Sequence, residues 1–137
     1  MFRRIDDSIS VASQITPGDC AAAARLGFVM IVNNRPDGEE PGQPDGAAIE
    51  AAAHAAGLAY RAIPITHAGF TEEQVEDMYA ALHQADGPVL AFCRSGTRST
   101  YAWALAQAAD NVPADLIIAK ARAAGYDIEA LRPHLEG

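Results

Sequence analysis

The chain has 137 residues, and half of them are apolar, which suits one compact domain spanning residues 1–137. The formal net charge of −8 argues against a nucleic-acid-binding protein. No apolar run approaches the roughly 20 residues of a membrane helix, so we expect neither membrane association nor a secretory signal.

The first half of the chain combines short apolar runs with one long loop. The segment "NNRPDGEEPGQPDG", Asn33 to Gly46, has three prolines and three glycines, too many for a helix or a central strand. Around this loop, capping and breaking residues delimit the elements. The pattern predicts a strand at 9–12, a helix from Thr16-Pro17 to Gly27, a buried strand in "FVMIVNN", and a helix from Asp45 to about Ala56.

The second half continues the alternation of strands and helices. Thr71 and Gln74 form a capping-box pattern at the start of "TEEQVEDMYAALHQA". The remaining predicted elements are a strand in "YRAIPI", a buried strand in "PVLAFC", helices over about 98–109 and from Pro113 to Gly125, and a helical turn around 127–131.

Strands that alternate with helices predict an α/β fold with a central parallel sheet flanked by helices. In such sheets the ligand crevice lies at the carboxyl ends of the strands. Cys93 stands at one of these ends, just before a helix. With only two cysteines, Cys20 and Cys93, a disulfide-stapled secreted domain is disfavoured, and we expect free thiols in a reducing cytoplasm.

The segment "FCRSGTRS" is the strongest chemical signal in the chain. A loop that runs from a strand into a helix turns its backbone N–H groups inward, and with the helix dipole it can hold an anion or stabilise a thiolate. The alternative is a small buried thiol, which we assign to Cys20 on its alanine-rich helix. We predict Cys93 and Arg98 as catalytic residues and an anion-binding loop of Arg94, Ser95, Gly96, Thr97 and Ser99.

The motif "CRSGTRS" resembles both the active-site loop of rhodanese sulfurtransferases and the signature loop of cysteine-dependent phosphatases. Together with "QITPGDCAAAARLGFVMIVNNRPDGEEPGQP" and "GLAYRAIPI", it resembles the phosphatase-like domain of beta-lactamase-hydrolase-like proteins, over roughly residues 3 to 135. The resemblance implies a fold of the dual-specificity-phosphatase type. It also implies sulfur transfer, because some members are described as sulfur transferases.

Two features of the sequence favour sulfur over phosphate. Four residues separate Cys93 from Arg98, whereas the phosphatase signature needs five, and Phe92 stands where a histidine commonly precedes the phosphatase cysteine. The segment "THAGF", where related phosphatases carry an acid, has no carboxylic acid, and His67 is its only titratable residue. Sulfane transfer needs no strong acid, because sulfite leaves thiosulfate readily.

Arg35 follows a strand at the same predicted sheet edge as Cys93, so it could contact an anionic donor, or it could pair with an acid of its own loop. We predict Arg35, Asn34 and His67 as candidate substrate contacts. The other histidines show no ligand-like spacing, so no metal and no cofactor are expected.

The sequence therefore predicts a cysteine-dependent sulfurtransferase that carries a persulfide on Cys93 and passes its sulfur to a thiol acceptor. The alternatives are a phosphatase acting through a phosphocysteine, and a non-catalytic anion- or partner-binding module. The expected partners are a small anionic sulfur donor or phosphoester and a thiol acceptor. The family resemblance adds a sulfur-oxidising metallo-hydrolase-like partner.

Overall fold

The structure, a computed structural model, describes residues 2–136 as an α/β fold around one five-stranded sheet. The strands are β1 (Phe2–Asp6), β2 (Ile9–Ala12), β3 (Met30–Asn33), β4 (Ala59–Ala62) and β5 (Val89–Phe92). The helices are α1 (Pro17–Arg25), α2 (Gly46–Ala55), α3 (Glu72–Gln84), α4 (Thr97–Ala109), α5 (Ala114–Ala123) and α6 (Arg132–Leu135), with a 3-10 turn at Glu129–Leu131.

The sheet has the order β1-β2-β5-β3-β4, and every pair except β1-β2 is parallel. The predicted α/β class with a mostly parallel sheet is therefore confirmed. The central strands β2, β3 and β5 are buried along their whole length, as expected for strands covered on both faces. Ile31 pairs with Leu90, which in turn pairs with Ser10, so the three strands end level with one another.

Helices cover both faces of the sheet. The first face is covered by α1 and α2, which pack with Ile31, Leu90 and Phe92 in one apolar cluster. The second face is covered by α3, α4, α5 and α6, whose apolar cluster contains the fully buried Trp103. Both clusters meet the same three strands, so the carboxyl ends of those strands are held rigidly on either side.

The sequence prediction misses β1 and α6 and makes the fourth strand too long. The sequence "FRRID" lacks an apolar pattern because β1 is an antiparallel edge strand with two exposed arginines. In "YRAIPI" the regular strand stops at Ala62. Pro64 has no backbone N–H, and the N–H groups of Ile63 and Ile65 instead bond irregularly to Asn33 and Asn34.

The helix starts follow the predicted chemistry. Thr71 and Gln74 form a reciprocal capping box at the start of α3, with bonds of 3.1 and 2.9 Å. Thr16 is the N-cap of α1, and Pro17 is its first residue. In residues 2–136 none of the helices combines the length and the apolar character that crossing a bilayer requires.

Candidate active site

The candidate site lies where β2, β3 and β5 end side by side. The backbone N–H of Cys93 donates to the carbonyl of Ala12 at 3.3 Å, and the N–H of Asn34 donates to the carbonyl of Phe92 at 2.8 Å. Cys93 follows β5 directly, and the loop 93–98 then enters α4. The predicted position of Cys93, at a strand end and before a helix, matches the structure.

The Cys93 sulfur lies inside the loop and below its surface. The residue is fully buried, and its Sγ accepts a hydrogen bond from the backbone N–H of Gly96 at 3.1 Å. Gly96 immediately precedes α4, so the sulfur also lies near the N-terminus of a helix of 13 residues. An N–H donor and a helix N-terminus both place positive partial charge next to this sulfur.

Gly96 is required at this turn for two reasons. Its φ of 89° lies in the left-handed region, which a side chain disfavours, and its backbone faces the ring of Tyr126. A Cβ at residue 96 would collide with Tyr126 Oη and lie 3.0 Å from its Cζ. The Tyr126 hydroxyl donates to the carbonyl of Ser95 at 3.1 Å, and burial raises the pKa of this tyrosine, which keeps the donor protonated.

We expect Gly96→Ala to lower the free energy of unfolding by at least about 2 kcal/mol, since left-handed strain alone costs about 1–2 kcal/mol. The collision with Tyr126 adds to that strain and displaces the N–H that meets the Cys93 sulfur. Gly27→Ala is the matched control, because Gly27 has a φ of 96° and open space around its Cβ position. Urea unfolding of both variants measures the difference, and equal losses would contradict the role of Tyr126.

The hydroxyl residues of the loop differ in their environment. Ser95 Oγ donates to Thr97 Oγ1 at 3.1 Å near the surface. Thr100 Oγ1, one turn into α4, donates to the carbonyl of Gly96 at 2.8 Å and holds the turn. Ser99 is fully buried, and its Oγ has no hydrogen-bond partner within residues 2–136. Ser99 therefore stays a predicted member of the anion-binding loop.

Arg98 is held by an acidic residue from the long loop between β3 and α2. Its Nη1 and Nη2 donate to the two carboxylate oxygens of Glu39, each at 2.8 Å, and Nη1 also donates to the carbonyl of Ile65 at 2.6 Å. Hydrogen bonding from Arg98, then from Arg35, lowers the pKa of Glu39 to about 2. Glu39 is therefore ionised at neutral pH.

Arg35 pairs inside its own loop, as one of the two sequence-based alternatives expected. Its Nε donates to Glu39 at 2.8 Å, its Nη2 to Glu40 at 3.0 Å, and its Nη1 to Gln14 at 3.0 Å. The side chain is only 1% exposed, and Glu40 also lies 3.6 Å from Arg94. The two adjacent glutamates, Glu39 and Glu40, thus neutralise most of the positive charge around the loop. The role of Arg35 as a substrate contact stays a prediction.

Below pH 4.5 we expect the protein to lose stability as Glu39 becomes protonated. The folded-state pKa of Glu39 lies near 2, below its ordinary value of 4.5. The stabilisation is therefore complete above 4.5 and falls as the pH approaches 2, by on the order of 2 kcal/mol. Urea midpoints of the native protein and Glu39→Gln should differ at pH 7 and converge towards pH 2. A difference independent of pH would contradict this.

A cavity of about 460 Å³ opens beside the loop. Phe70 and Tyr101 form one wall, with ring centroids 6.1 Å apart, and His67 lies at the rim with its side chain 80% exposed. His67 Nε2 is 4.0 Å from a carboxylate oxygen of Glu39. The cavity is lined by Thr66, His67, Gly69, Phe70, Arg94, Ser95, Thr97, Arg98 and Tyr101, without a carboxylic acid among them.

The remaining predicted contacts lie deeper. Asn34 is fully buried, its Nδ2 donates to the carbonyl of Ile63 at 3.0 Å, and its Oδ1 has no partner among the described residues.

Cys20 is buried on α1, where its Sγ faces the carbonyl of Ile49 at 3.8 Å. Within residues 2–136 no group of three or more histidine, cysteine or acidic side chains is arranged to hold a metal ion.

Two residues of the site, Glu39 and Tyr126, were not predicted from the sequence. Glu39 carried a signal, since it lies four residues after Arg35 in a long loop that leaves the same sheet edge as Cys93. Tyr126 carried none, because it follows α5 and reaches Ser95 only through the packing of that helix.

Comparison with known proteins gives consistent results. A family model described as the phosphatase-like domain of the beta-lactamase hydrolase-like protein matches residues 1–110. A beta-lactamase hydrolase-like protein of Xylella fastidiosa is 36% identical over 125 residues, which cover 90% of this chain and 29% of that relative. The chain therefore spans less than a third of the length of this curated relative.

Two solved structures share the fold. One is the crystal structure of a candidate phosphatase from Neisseria meningitidis, whose sequence is 37% identical to this chain. The alignment covers 97% of this chain and 94% of the phosphatase chain, with a TM-score of 0.83. Tk-PTP in its active form covers 98% of this chain and 92% of its own, with a TM-score of 0.75. At 16% identity, Tk-PTP shows the fold alone.

These similarities agree with the architecture and with the cysteine loop at the end of β5. They support the phosphatase alternative better than the sulfurtransferase that the loop length favours. The fold is phosphatase-like, and the loop that carries Cys93 lies at the end of β5 within it. The chain belongs to the family of the phosphatase-like domain of beta-lactamase hydrolase-like proteins.

Proposed function

We propose that the chain is a cysteine-dependent phosphoester hydrolase. The observation that carries this proposal is the Cys93 sulfur, which accepts the Gly96 N–H at the N-terminus of α4 on the same loop as Arg98. An N–H donor, a helix N-terminus and a guanidinium together provide a site for an oxyanion next to a nucleophile. The phosphatase-like fold of the family supports the assignment.

The reaction would proceed in two displacements. The Cys93 thiolate attacks phosphorus, a phosphorus–sulfur bond forms, and the ester bond breaks with its electron pair on the leaving oxygen. Water then attacks phosphorus, which releases inorganic phosphate and restores the thiolate. Arg98 and the N–H groups of residues 94–98 stabilise the charge on the phosphoryl oxygens during both steps.

The cavity determines which esters suit this mechanism. Its lining has no carboxylic acid to protonate an alkoxide, and general acid catalysis is typically worth about 10²–10⁴-fold. Phenolates need little protonation, and the wall of Phe70 and Tyr101 is suited to contact an aromatic ring. We therefore propose aryl phosphates as better substrates than alkyl phosphates.

The length of the loop supports a second candidate, sulfur transfer. With four residues between Cys93 and Arg98, the ring of N–H groups is one residue shorter than the phosphatase signature. In this reaction the thiolate attacks the outer sulfur of thiosulfate, the sulfur–sulfur bond breaks, and sulfite leaves with the electron pair. The Cys93 persulfide then passes its sulfur to a thiol, with a sulfur-oxidising metallo-hydrolase-like protein as the proposed partner.

One pair of assays separates the candidates. The first follows phenolate release from p-nitrophenyl phosphate, and the second follows the mass of the protein after thiosulfate. Turnover of the phosphate without a stable gain of one sulfur supports the hydrolase. A gain of one sulfur on Cys93 without phosphate turnover overturns it in favour of sulfur transfer. The absence of both signals would indicate the non-catalytic anion- or partner-binding module.

A further inference from the structure

We propose that Glu39 is a positioning residue that fixes one edge of the Arg98 guanidinium and thereby presents the other edge to the oxyanion. This proposal rests on the proposed function, because it assigns a role to the anion site of that function. Glu39 lies on the loop between β3 and α2, 59 residues from Arg98 in sequence. It acts through Arg98 and not on the substrate.

The hydrogen bonds of Arg98 divide its guanidinium into two halves. A guanidinium has five N–H donors, and three of them are used here, two by Glu39 and one by the carbonyl of Ile65. The remaining donors are the Nε–H and the second Nη2–H, which have no acceptor within residues 2–136. These two donors share one edge of the planar group, and such a fork matches two oxygens of a phosphoryl group.

Glu39 is itself anchored by residues of its own loop. Its Oε1 also accepts from Arg35 Nε at 2.8 Å, and its backbone N–H donates to Gln43 Oε1 at 3.1 Å. Gln43 in turn donates to the carbonyl of Pro36 at 2.9 Å, which closes the loop on itself. The Glu39 side chain is only 16% exposed, so the carboxylate has a fixed position before any substrate arrives.

The opposite role is also conceivable for a carboxylate at this position. Glu39 could occupy the place of the substrate's oxygens and be displaced by them, in which case it would inhibit. The way the N–H donors of Arg98 are used argues against this. Glu39 accepts from Nη1 and Nη2 at the end of the guanidinium and leaves the Nε edge open. The two roles predict opposite changes when Glu39 loses its charge, and this difference can be measured.

The test uses Glu39→Gln in the full chain, with Glu40→Gln as the matched control. Glu40 is adjacent, carries the same charge and contacts Arg35 and Arg94, but it has no bond to Arg98. With p-nitrophenyl phosphate, we expect Glu39→Gln to lower kcat about tenfold to a hundredfold, with a smaller change in KM. We expect Glu40→Gln to stay within about threefold of the native kcat, since it removes charge without releasing Arg98.

A second readout is independent of catalysis. Isothermal titration of inorganic phosphate into the Cys93→Ser protein, with and without Glu39→Gln, measures the anion site alone. We expect Glu39→Gln to weaken phosphate binding at least about threefold, although the removal of a negative charge by itself would strengthen it. Tighter phosphate binding or a higher kcat would overturn the proposal and identify Glu39 as an inhibitory group.

Two controls keep the outcomes separate. If the native protein fails to hydrolyse the aryl phosphate, the proposed function fails, while the phosphate titration still decides the role of Glu39. Glu39→Asp keeps the charge but is one methylene too short to bond Arg35 and both Arg98 nitrogens. It should retain more of the urea stability than Glu39→Gln yet also lose kcat, and full kcat in Glu39→Asp would contradict positioning.

Discussion

Replacing Cys93 with serine is expected to lower the turnover of an aryl phosphate by at least about 10⁴-fold, because the nucleophile is removed. A serine hydroxyl at the end of β5 would receive the same Gly96 N–H and the same helix field. A neutral hydroxyl is nevertheless a weak nucleophile without a base, and the cavity beside it is lined by no carboxylate.

The matched control is Cys20→Ser. Cys20 is equally buried, but it lies on α1 against α2, on the other side of the sheet from the cavity wall. We expect this substitution to lower stability and to leave turnover near the native value. Phenolate release at saturating substrate measures both proteins, and a residual rate in Cys93→Ser above roughly 0.01 percent of native would contradict the assignment of Cys93 as nucleophile.

Arg98→Lys should have the second-largest effect, a loss of about 10²–10³-fold in kcat/KM, even though the charge is kept. A lysine offers a single ammonium point charge, so it cannot bond both Glu39 oxygens, the Ile65 carbonyl and an oxyanion with the fixed geometry of a planar fork. The partly released Glu39 carboxylate would then remain near the site and repel an anionic substrate.

The comparison for Arg98→Lys is Arg94→Lys in the same loop. The Arg94 side chain is 62% exposed, and its single charged contact, to Glu40, is 3.6 Å long. Exposed pairs of this kind contribute about 0–1 kcal/mol, so the change should be several-fold at most. Steady-state kinetics on p-nitrophenyl phosphate gives both values, and similar losses for the two lysine variants would contradict a special geometry at Arg98.

The fold follows from local signals to a large extent. The breaking residues Pro17, Gly27, Gly57 and Gly125 lie at or next to the helix ends they predict, and the apolar runs "MIV" and "VLAF" lie in β3 and β5. These signals work because the central strands are buried on both faces and need continuous apolar side chains. β1 lacked such a signal because Arg3 and Arg4 are exposed, so its sequence has no continuous apolar run.

Residues of the site can be predicted from the sequence only where they lie together in one short segment. The loop 93–98 contains the cysteine, the turn and the arginine, so these residues are found without tertiary contacts. The choice of chemistry is not, because the loop length favoured sulfur whereas the family supports phosphate. Glu39 and Tyr126 enter the site from segments 59 and 31 residues away from their loop partners, Arg98 and Ser95. No local pattern encodes such contacts, since they depend on how the helices pack around the sheet.

The contact between Tyr126 and Ser95 bears on where the protein can be divided. The family match ends at residue 110, but Tyr126 lies beyond it, and so do Ile117, Ile118, Ile128 and Leu135 of the core on the second face. A fragment that stops at residue 110 would expose that face of the sheet to solvent and remove the hydroxyl donor from the cysteine loop. The segment that the family model covers is therefore shorter than the segment that packs into the core. A fusion or excision designed on residues 1–110 alone would cut through the hydrophobic interior.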